Sequence, residues 1–154
     1  MLAHIYCLDY SNKMSATNIQ FSVGVHIMQV LYVHADKRVT SSFITESVNA
    51  DAASVRLVLS KLAKAGLVTT TRGRGGSCEL AKPADRISLL DVYKATAAPK
   101  VFAVHSHPIE KKCVVSTHHK KTMASVLNDC QVSFESCLAH KMLSEVAEPM
   151  KKRH

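Results

Sequence analysis

Between Asp51 and Leu80 the chain passes from helical to strand spacing, which narrows the folds open to it. Val55, Val58, Leu59 and Leu62 recur at helical spacing behind Asp51, a residue type that caps helix N-termini by accepting backbone hydrogen bonds. Gly66 is the left-handed stop expected at the end of such a helix. Leu67-Val68-Thr69-Thr70-Thr71 is β-branched, Arg72-Gly73-Arg74-Gly75-Gly76 forms a turn, and Ser77-Cys78-Glu79-Leu80 can pair back as a second strand. The chain therefore runs from an amphipathic helix straight into a tight β-hairpin.

The flanking segments complete the pattern. Ile19, Val23, Ile27, Val30, Leu31 and His34 fall close to helical spacing, and Val25, Met28 and Val33 widen the stripe, which predicts a central helix from Ile19 to Ala35. Asp36-Lys37-Arg38 closes it and Val39-Thr40 is a short element. Ser41-Ser42 reads as the N-cap of a brief helix, Phe43 to Val48, and Asp51 caps the next, Ala52 to Ala65. After the hairpin, Pro83 ends the strand, and Ser88-Leu89-Leu90-Asp91 is a capping-box pattern opening a helix to about Ala97. Pro99 to Thr117 is a connector rich in His, Lys and Pro. Beyond it Met123, Leu127, Cys130, Phe134, Cys137 and Lys141 step by 4, 3, 4, 3 and 4, a coiled-coil-like seam on one long helix from about His119 to Ala147.

Helix, short helix, turn, helix and glycine-rich hairpin is the order of a winged helix-turn-helix, mainly α with a small β-hairpin wing. The expected organisation is an N-terminal extension over 1–14 ahead of a second start at Met14, a winged domain over 15–98 and a connector or sensor loop over 99–118. A dimerisation helix over 119–148 and a basic tail over 149–154 follow.

Charge gives this arrangement a purpose. The chain has 20 Lys and Arg against 12 Asp and Glu, a net +8, which points to a polyanionic partner. The total does not locate a site, because residues 1 to 100 carry +5 and the remainder +3. The stretch from Arg56 to Cys78 does, since Arg56, Lys61, Lys64, Arg72 and Arg74 occur there with no acid. A recognition helix buries one face and leaves the other free for a major groove. The free face near the start of the 52–65 helix holds Ala53, Ser54, Arg56 and Leu57. Arg56 can reach guanine O6 and N7 with two donors, and Lys61 and Lys64 lie further along, where phosphates are the nearer partners. Arg72, Gly73 and Arg74 place arginines on a glycine turn able to enter a narrow minor groove. Ser41 and Ser42, at the start of the short helix, join the expected double-stranded-DNA contacts.

The segment KLAKAGLVTTTRGRGGSCELAKPADRISLLDVYKA resembles the core of the Rrf2 family of bacterial winged-helix transcription regulators. The family pattern is a leucine-rich recognition helix, K-A-G-L-V, R-G-P-G-G, a strand, L-A-[KR]-P and I-[ST]-L-x-[DE]-V, and the match runs from about Ile19 to Ala95. FAVHSHP followed by Cys113 further resembles a subgroup with one cysteine in the connector. The resemblance implies a homodimer on a two-fold operator, with the C-terminal helix crossing to the partner. It places Arg56 among base-contacting residues and Arg72 with Gly73 on a minor-groove wing contact. Arg74 stands where the family usually has proline.

Five cysteines, Cys7, Cys78, Cys113, Cys130 and Cys137, make an odd count without a CxxC pair, and the first residues show no secretory pattern. A cytoplasmic protein with free thiols is expected. Cluster-bearing members of the family hold iron–sulfur ligands as three connector cysteines, roughly C-x5-C-x5-C. Only Cys113 stands in this connector, so no iron–sulfur cofactor is expected. Cys113 follows Glu110-Lys111-Lys112, whose ammonium groups favour an oxidisable thiolate, which makes it a redox-sensing candidate. His105, His107, Cys113, His118 and His119 are zinc- or copper-type ligands without the spacing of a tight motif. Cys78 reads as structural, and Cys130 with Cys137 as apolar seam residues.

Cys113, His118 and Asp129 could be recited as a catalytic set, but nothing in their spacing orders them, and no enzyme is expected. No apolar run approaches the ~18 residues of a membrane span. The expected function is a DNA-binding transcription regulator, a repressor responsive to thiol oxidation. The alternatives are a metal- or iron–sulfur-sensing regulator of the same fold and a winged-helix protein-interaction module.

Overall fold

Helix α1, Ala16–Val33, is apolar around most of its circumference, and the fold is built around it. The structure, a computed structural model, describes residues 16–71, 73, 76–98 and 100–152. The N-terminal extension expected over 1–14 therefore lies outside the described residues. Ile27, Met28, Val30 and Leu31 of α1 are buried together with Ile44, Val55, Val58, Leu62, Ile87, Val92 and Leu143 in one hydrophobic core.

Local chemistry sets the boundaries of the elements around α1. Helix α2 is Ser41–Val48, and its cap is Thr40, not the expected Ser41 or Ser42. Thr40 is extended and its Oγ1 accepts the Phe43 N–H at 3.2 Å, so Ser41 is already the first helical residue. Helix α3, Ala52–Lys64, starts where Asp51 Oδ2 accepts the Ser54 N–H at 2.8 Å, and it buries Val55, Val58, Leu59 and Leu62. Gly66, at φ +69°, follows its C-cap Ala65.

Strands β1, Val68–Thr70, and β2, Cys78–Leu80, pair antiparallel with Thr69 opposite Glu79. Below the turn Thr71 Oγ1 accepts the Ser77 N–H at 2.8 Å, and the Cys78 N–H donates to the Val39 carbonyl, fastening the hairpin to the segment before α2. A 3₁₀ turn, Ala84–Arg86, leads to helix α4, Leu89–Ala95, opened by the expected capping box. Ser88 Oγ accepts the Asp91 N–H and Asp91 Oδ2 accepts the Ser88 N–H.

The C-terminal third departs from the single helix expected over 119–148. Helix α5 runs from Val114 to Ala139, and helix α6 from Leu143 to Lys151. Helix α5 begins earlier because Cys113 caps it, so the connector is shorter than 99–118. The break after Ala139 arises because the chain pairs with the entry to α4: Leu89 N–H donates to the Lys141 carbonyl and Leu143 N–H to the Ile87 carbonyl, both at 2.8 Å. Helix α6 then folds back onto α1. Leu143 and Ala147 are fully buried, and Tyr32 donates its hydroxyl hydrogen to Glu148 Oε2 at 2.5 Å. Pro149, expected to begin a tail, lies inside α6.

Few residues of α5 are buried within one copy of the chain. Its buried residues are Gln131 and Leu138, while Cys130 and Cys137 are exposed. Gln131 is buried because its polar atoms are used: Nε2 donates to Tyr93 Oη and Glu135 Oε1, and Oε1 accepts the Val101 N–H.

Gly24 marks the tightest junction in the core. A Cβ there would lie 2.8 Å from Thr96 Cγ2 and 3.2 Å from Val92 Cγ1. Thr96 cannot yield, since it is fully buried and its hydroxyl bonds the Val92 and Tyr93 carbonyls. Gly24→Ala is therefore expected to destabilise the protein by about 1–3 kcal/mol in urea unfolding, as overpacking does. Thr96→Ser, which removes the clashing methyl, should recover part of that loss in the double variant; no recovery would mean that the methyl is not the obstacle.

Candidate nucleic-acid interface

The outer face of α3 follows from its inner one. With Val55, Val58, Leu59 and Leu62 buried, helical geometry turns Ala53, Ser54, Arg56, Leu57, Ser60 and Lys64 outward, and all six are exposed. Four of the expected contacts, Ala53, Ser54, Arg56 and Leu57, thus lie together over the first turns of the helix. Leu57 is 51% exposed, an apolar group presented to solvent on a polar face.

A groove separates α3 from the hairpin. Arg56, Ser60 and Lys64 line one wall, Thr71, Gly73 and Ser77 the other, and Arg38 with Ser41 closes the end beside α2. Ser42 is exposed on the same helix start. Among the described residues, no hydrogen bond or ion pair engages the charged groups of Arg38, Arg56 or Lys64. The nearby Asp51 carboxyl is held below the usual carboxylate range, first by the Ser54 backbone N–H and in smaller part by Arg56. Arg72 and Arg74 lie outside the described residues; Gly73 between them is exposed, and its carbonyl accepts the Gly76 N–H. Arg38 and Ser60 join the groove without being expected there. Arg38 belongs by sequence to a polar turn, and only the packing of that turn against the hairpin brings it to the groove.

Lys61 is placed differently from its neighbours. It is half-buried, and its Nζ donates to Gln20 Oε1 at 2.6 Å and to the Thr96 carbonyl at 3.0 Å. Its ammonium is turned toward α1 and α4, away from the groove, and not toward the phosphate position expected for it.

The histidine and cysteine candidates separate into groups. The His105 ring lies 5.1 Å from that of His119 and 5.3 Å from that of His107. Desolvation, and then the positive charges that His119, His107 and Lys120 can carry, push the His105 pKa down. His118 turns instead to its own helix, where its Nδ1 lies 2.9 Å from the Val114 carbonyl and from Thr117 Oγ1. Cys113 Sγ accepts the Ser116 N–H at 3.5 Å. Among the described residues no three His, Cys, Asp or Glu side chains come together in a way that could hold a metal ion. Asp129 is exposed about 16 Å along the helix from His118, so Cys113, His118 and Asp129 form no catalytic constellation. No described helix is long and apolar enough to cross a membrane.

Known proteins resemble this chain in sequence and in fold. The model of the family described as "Rrf2: Iron-dependent Transcriptional regulator" matches residues 17–149. The HTH-type transcriptional regulator YwnA of Bacillus subtilis (strain 168) is 34% identical over 130 residues, covering 84% of this chain and 95% of YwnA. A solved transcriptional regulator from Lactobacillus plantarum has a similar fold, with a TM-score of 0.74 at 21% identity over 86% of this chain and 89% of that one. CymR, the global cysteine regulator of B. subtilis, superposes with a TM-score of 0.61 at 18% identity over 88% of this chain and 96% of its own.

The iron named in the family description does not fit the described residues. A cluster needs several thiolates within a few ångströms of one another. Cys113 and Cys130 are separated by roughly 25 Å of α5, and Cys78 is buried at the base of the hairpin.

The thiols should differ sharply in reactivity. Burial pushes the Cys78 thiol pKa up and removes it from solvent, whereas Cys113, Cys130 and Cys137 are exposed. Iodoacetamide labelling of native protein at neutral pH, mapped by mass spectrometry, should modify Cys113, at the exposed start of α5, and spare Cys78 until denaturant is added. Labelling of Cys78 at the same rate as Cys113 would contradict its placement.

Proposed function

The chain belongs to the Rrf2 family of transcriptional regulators, and on that premise we propose that it is a cytoplasmic homodimeric repressor that binds a two-fold DNA operator. The groove between α3 and the hairpin carries the reading: Arg38, Arg56 and Lys64 face it with no partner for their charges among the described residues. Such cations are what a polyphosphate backbone neutralises. The outer face of α3 enters the major groove, where Arg56 makes a bidentate contact with guanine and Leu57 meets a thymine methyl. Ala53 lets the helix approach closely, and Ser54, Ser41 and Ser42 bond backbone or base edges. Arg72, Gly73 and Arg74 make the wing contact in the minor groove.

Dimerisation is supported by α5. Val114 is 75% exposed, Val115 70%, Val126 48% and Val132 60%, more apolar surface than a single copy covers. A second copy crossing on this helix buries it and spaces the two recognition helices for a palindromic site. The protein works without an iron–sulfur cluster.

Binding of a duplex enriched by the protein from a random-sequence pool should fall steeply with salt, with log Kd linear in log salt concentration. Arg56→Ala should cost about 1–3 kcal/mol and relax specificity at one base position. An equal loss on every sequence would make Arg56 a phosphate contact, and a salt-independent response would favour a protein-interaction module.

The signal is read at Cys113. Its exposed Sγ caps α5, the dimer helix of this proposal. Peroxide converts the thiol to a sulfenic acid and releases water, which changes the atom that starts the helix and so the geometry of the dimer. Peroxide should weaken operator binding by the wild type and leave Cys113→Ser unaffected. A Cys113→Ser protein that responds as the wild type does would remove Cys113 from the switch.

A further inference from the structure

We infer that Lys61 is a positioning residue that locks the recognition helix to α4, and that it acts on operator binding without touching DNA. The inference rests on the DNA-binding reading above. Lys61 belongs to α3, but both acceptors of its ammonium lie on other elements: Gln20 Oε1 on α1 at 2.6 Å, and the Thr96 carbonyl at the end of α4 at 3.0 Å. The last carbonyls of a helix have no partner within it, and a cation is favoured beside them. Lys61 meets that need from a different helix, so the bond joins the two.

The Thr96 end of this tie is held firmly. Its side chain is fully buried, its hydroxyl is bound to the Val92 and Tyr93 carbonyls, and its methyl sits against Gly24. Ala97, which follows, is left-handed at φ 52°, a conformation an alanine adopts only when its surroundings impose it. On the far side of α4, the Tyr93 ring packs edge-on against Phe134 of α5 with centroids 5.5 Å apart. The Tyr93 hydroxyl accepts from Gln131 of α5, whose Oε1 in turn accepts the Val101 N–H of the connector. A continuous set of contacts thus runs from the connector through Gln131, Tyr93 and Thr96 to Lys61 on the recognition helix. The angle of that helix relative to α5 is set at this point. A two-fold operator demands two recognition helices at one spacing and tilt, whereas non-specific binding demands only charge. Removing the tie therefore lowers specific affinity selectively.

The experiment compares wild type, Lys61→Met, Lys61→Arg and Gln20→Leu on the pool-selected duplex and on a scrambled duplex of equal length, over a range of salt. Lys61→Met is expected to weaken binding to the selected duplex at least about fivefold, in the range of ordinary coupling effects. Its affinity for the scrambled duplex and its salt slope should stay those of the wild type. Lys61→Arg, which keeps donors for both acceptors, should restore the ratio of specific to non-specific affinity. Gln20→Leu retains the Lys61 charge and removes one acceptor, so it should lower the same ratio. It decides the matter if Lys61→Met does not fold. If Lys61→Met instead weakens both duplexes equally and lowers the salt slope by about 0.9, the value for one phosphate no longer neutralised, Lys61 is a phosphate ligand and the inference is overturned. An unchanged ratio in Gln20→Leu overturns it as well. A wild type that binds neither duplex would remove the DNA-binding reading itself.

Discussion

The close approach of α1 and α4 at Gly24 is the constraint on which the rest of the arrangement depends. Only a residue without Cβ leaves room for Thr96 Cγ2 and Val92 Cγ1. With α4 drawn down onto α1, Thr96 is sealed in the core and its carbonyl comes within reach of α3 through Lys61. The same closeness seats Tyr93 between Phe21 of α1 and Phe134 of α5, edge-on to each. One small residue on the central helix thereby places both the recognition helix and the base of α5. Packed interiors transmit such a requirement because they have little free volume to absorb a misfit.

Each helix at this junction divides its labour by face. Helix α3 sends Val55, Val58, Leu59 and Leu62 inward and Arg56, Ser60 and Lys64 outward, with Lys61 at the boundary. A lysine at a boundary has a choice, because its long stem lets the ammonium reach either way. Here two acceptors are within bonding distance on the inner side, and the charge is used there. The +8 of the whole chain thus overstates what faces the groove, since at least one basic residue of α3 is engaged elsewhere.

Much of the fold is legible in the sequence because it is encoded locally. The Asp51 cap, the Gly66 stop, the β-hairpin and the Ser88–Asp91 capping box each depend on residues close to one another in the chain, and the structure has all of them. Two features depend on contacts distant in sequence. The break at His140 to Met142 comes from backbone bonds to Ile87 and Leu89, far upstream, which no local period reveals. Gln131 is buried within the chain because Tyr93, Glu135 and Val101 satisfy its amide. Hydrophobic spacing ranks glutamine as an outward residue, and only its partners offset the cost of burying it.

For the candidate site, the sequence by itself determined which residue types occupy the outer face of α3: the inner stripe is apolar, so a period of 3.6 leaves Ala53, Ser54, Arg56 and Leu57 outside. It determined equally that cations, unmixed with acids, follow from Arg56 to the hairpin. Tertiary structure alone decided where the charges of Arg38 and Lys61 lie. It brought Arg38 to the groove by fastening Cys78 to Val39, and it turned Lys61 away by offering Gln20 and Thr96 as acceptors. Periodicity specifies the face of a helix within one turn, but the direction of a long flexible side chain is settled by partners that the chain brings near only when it folds.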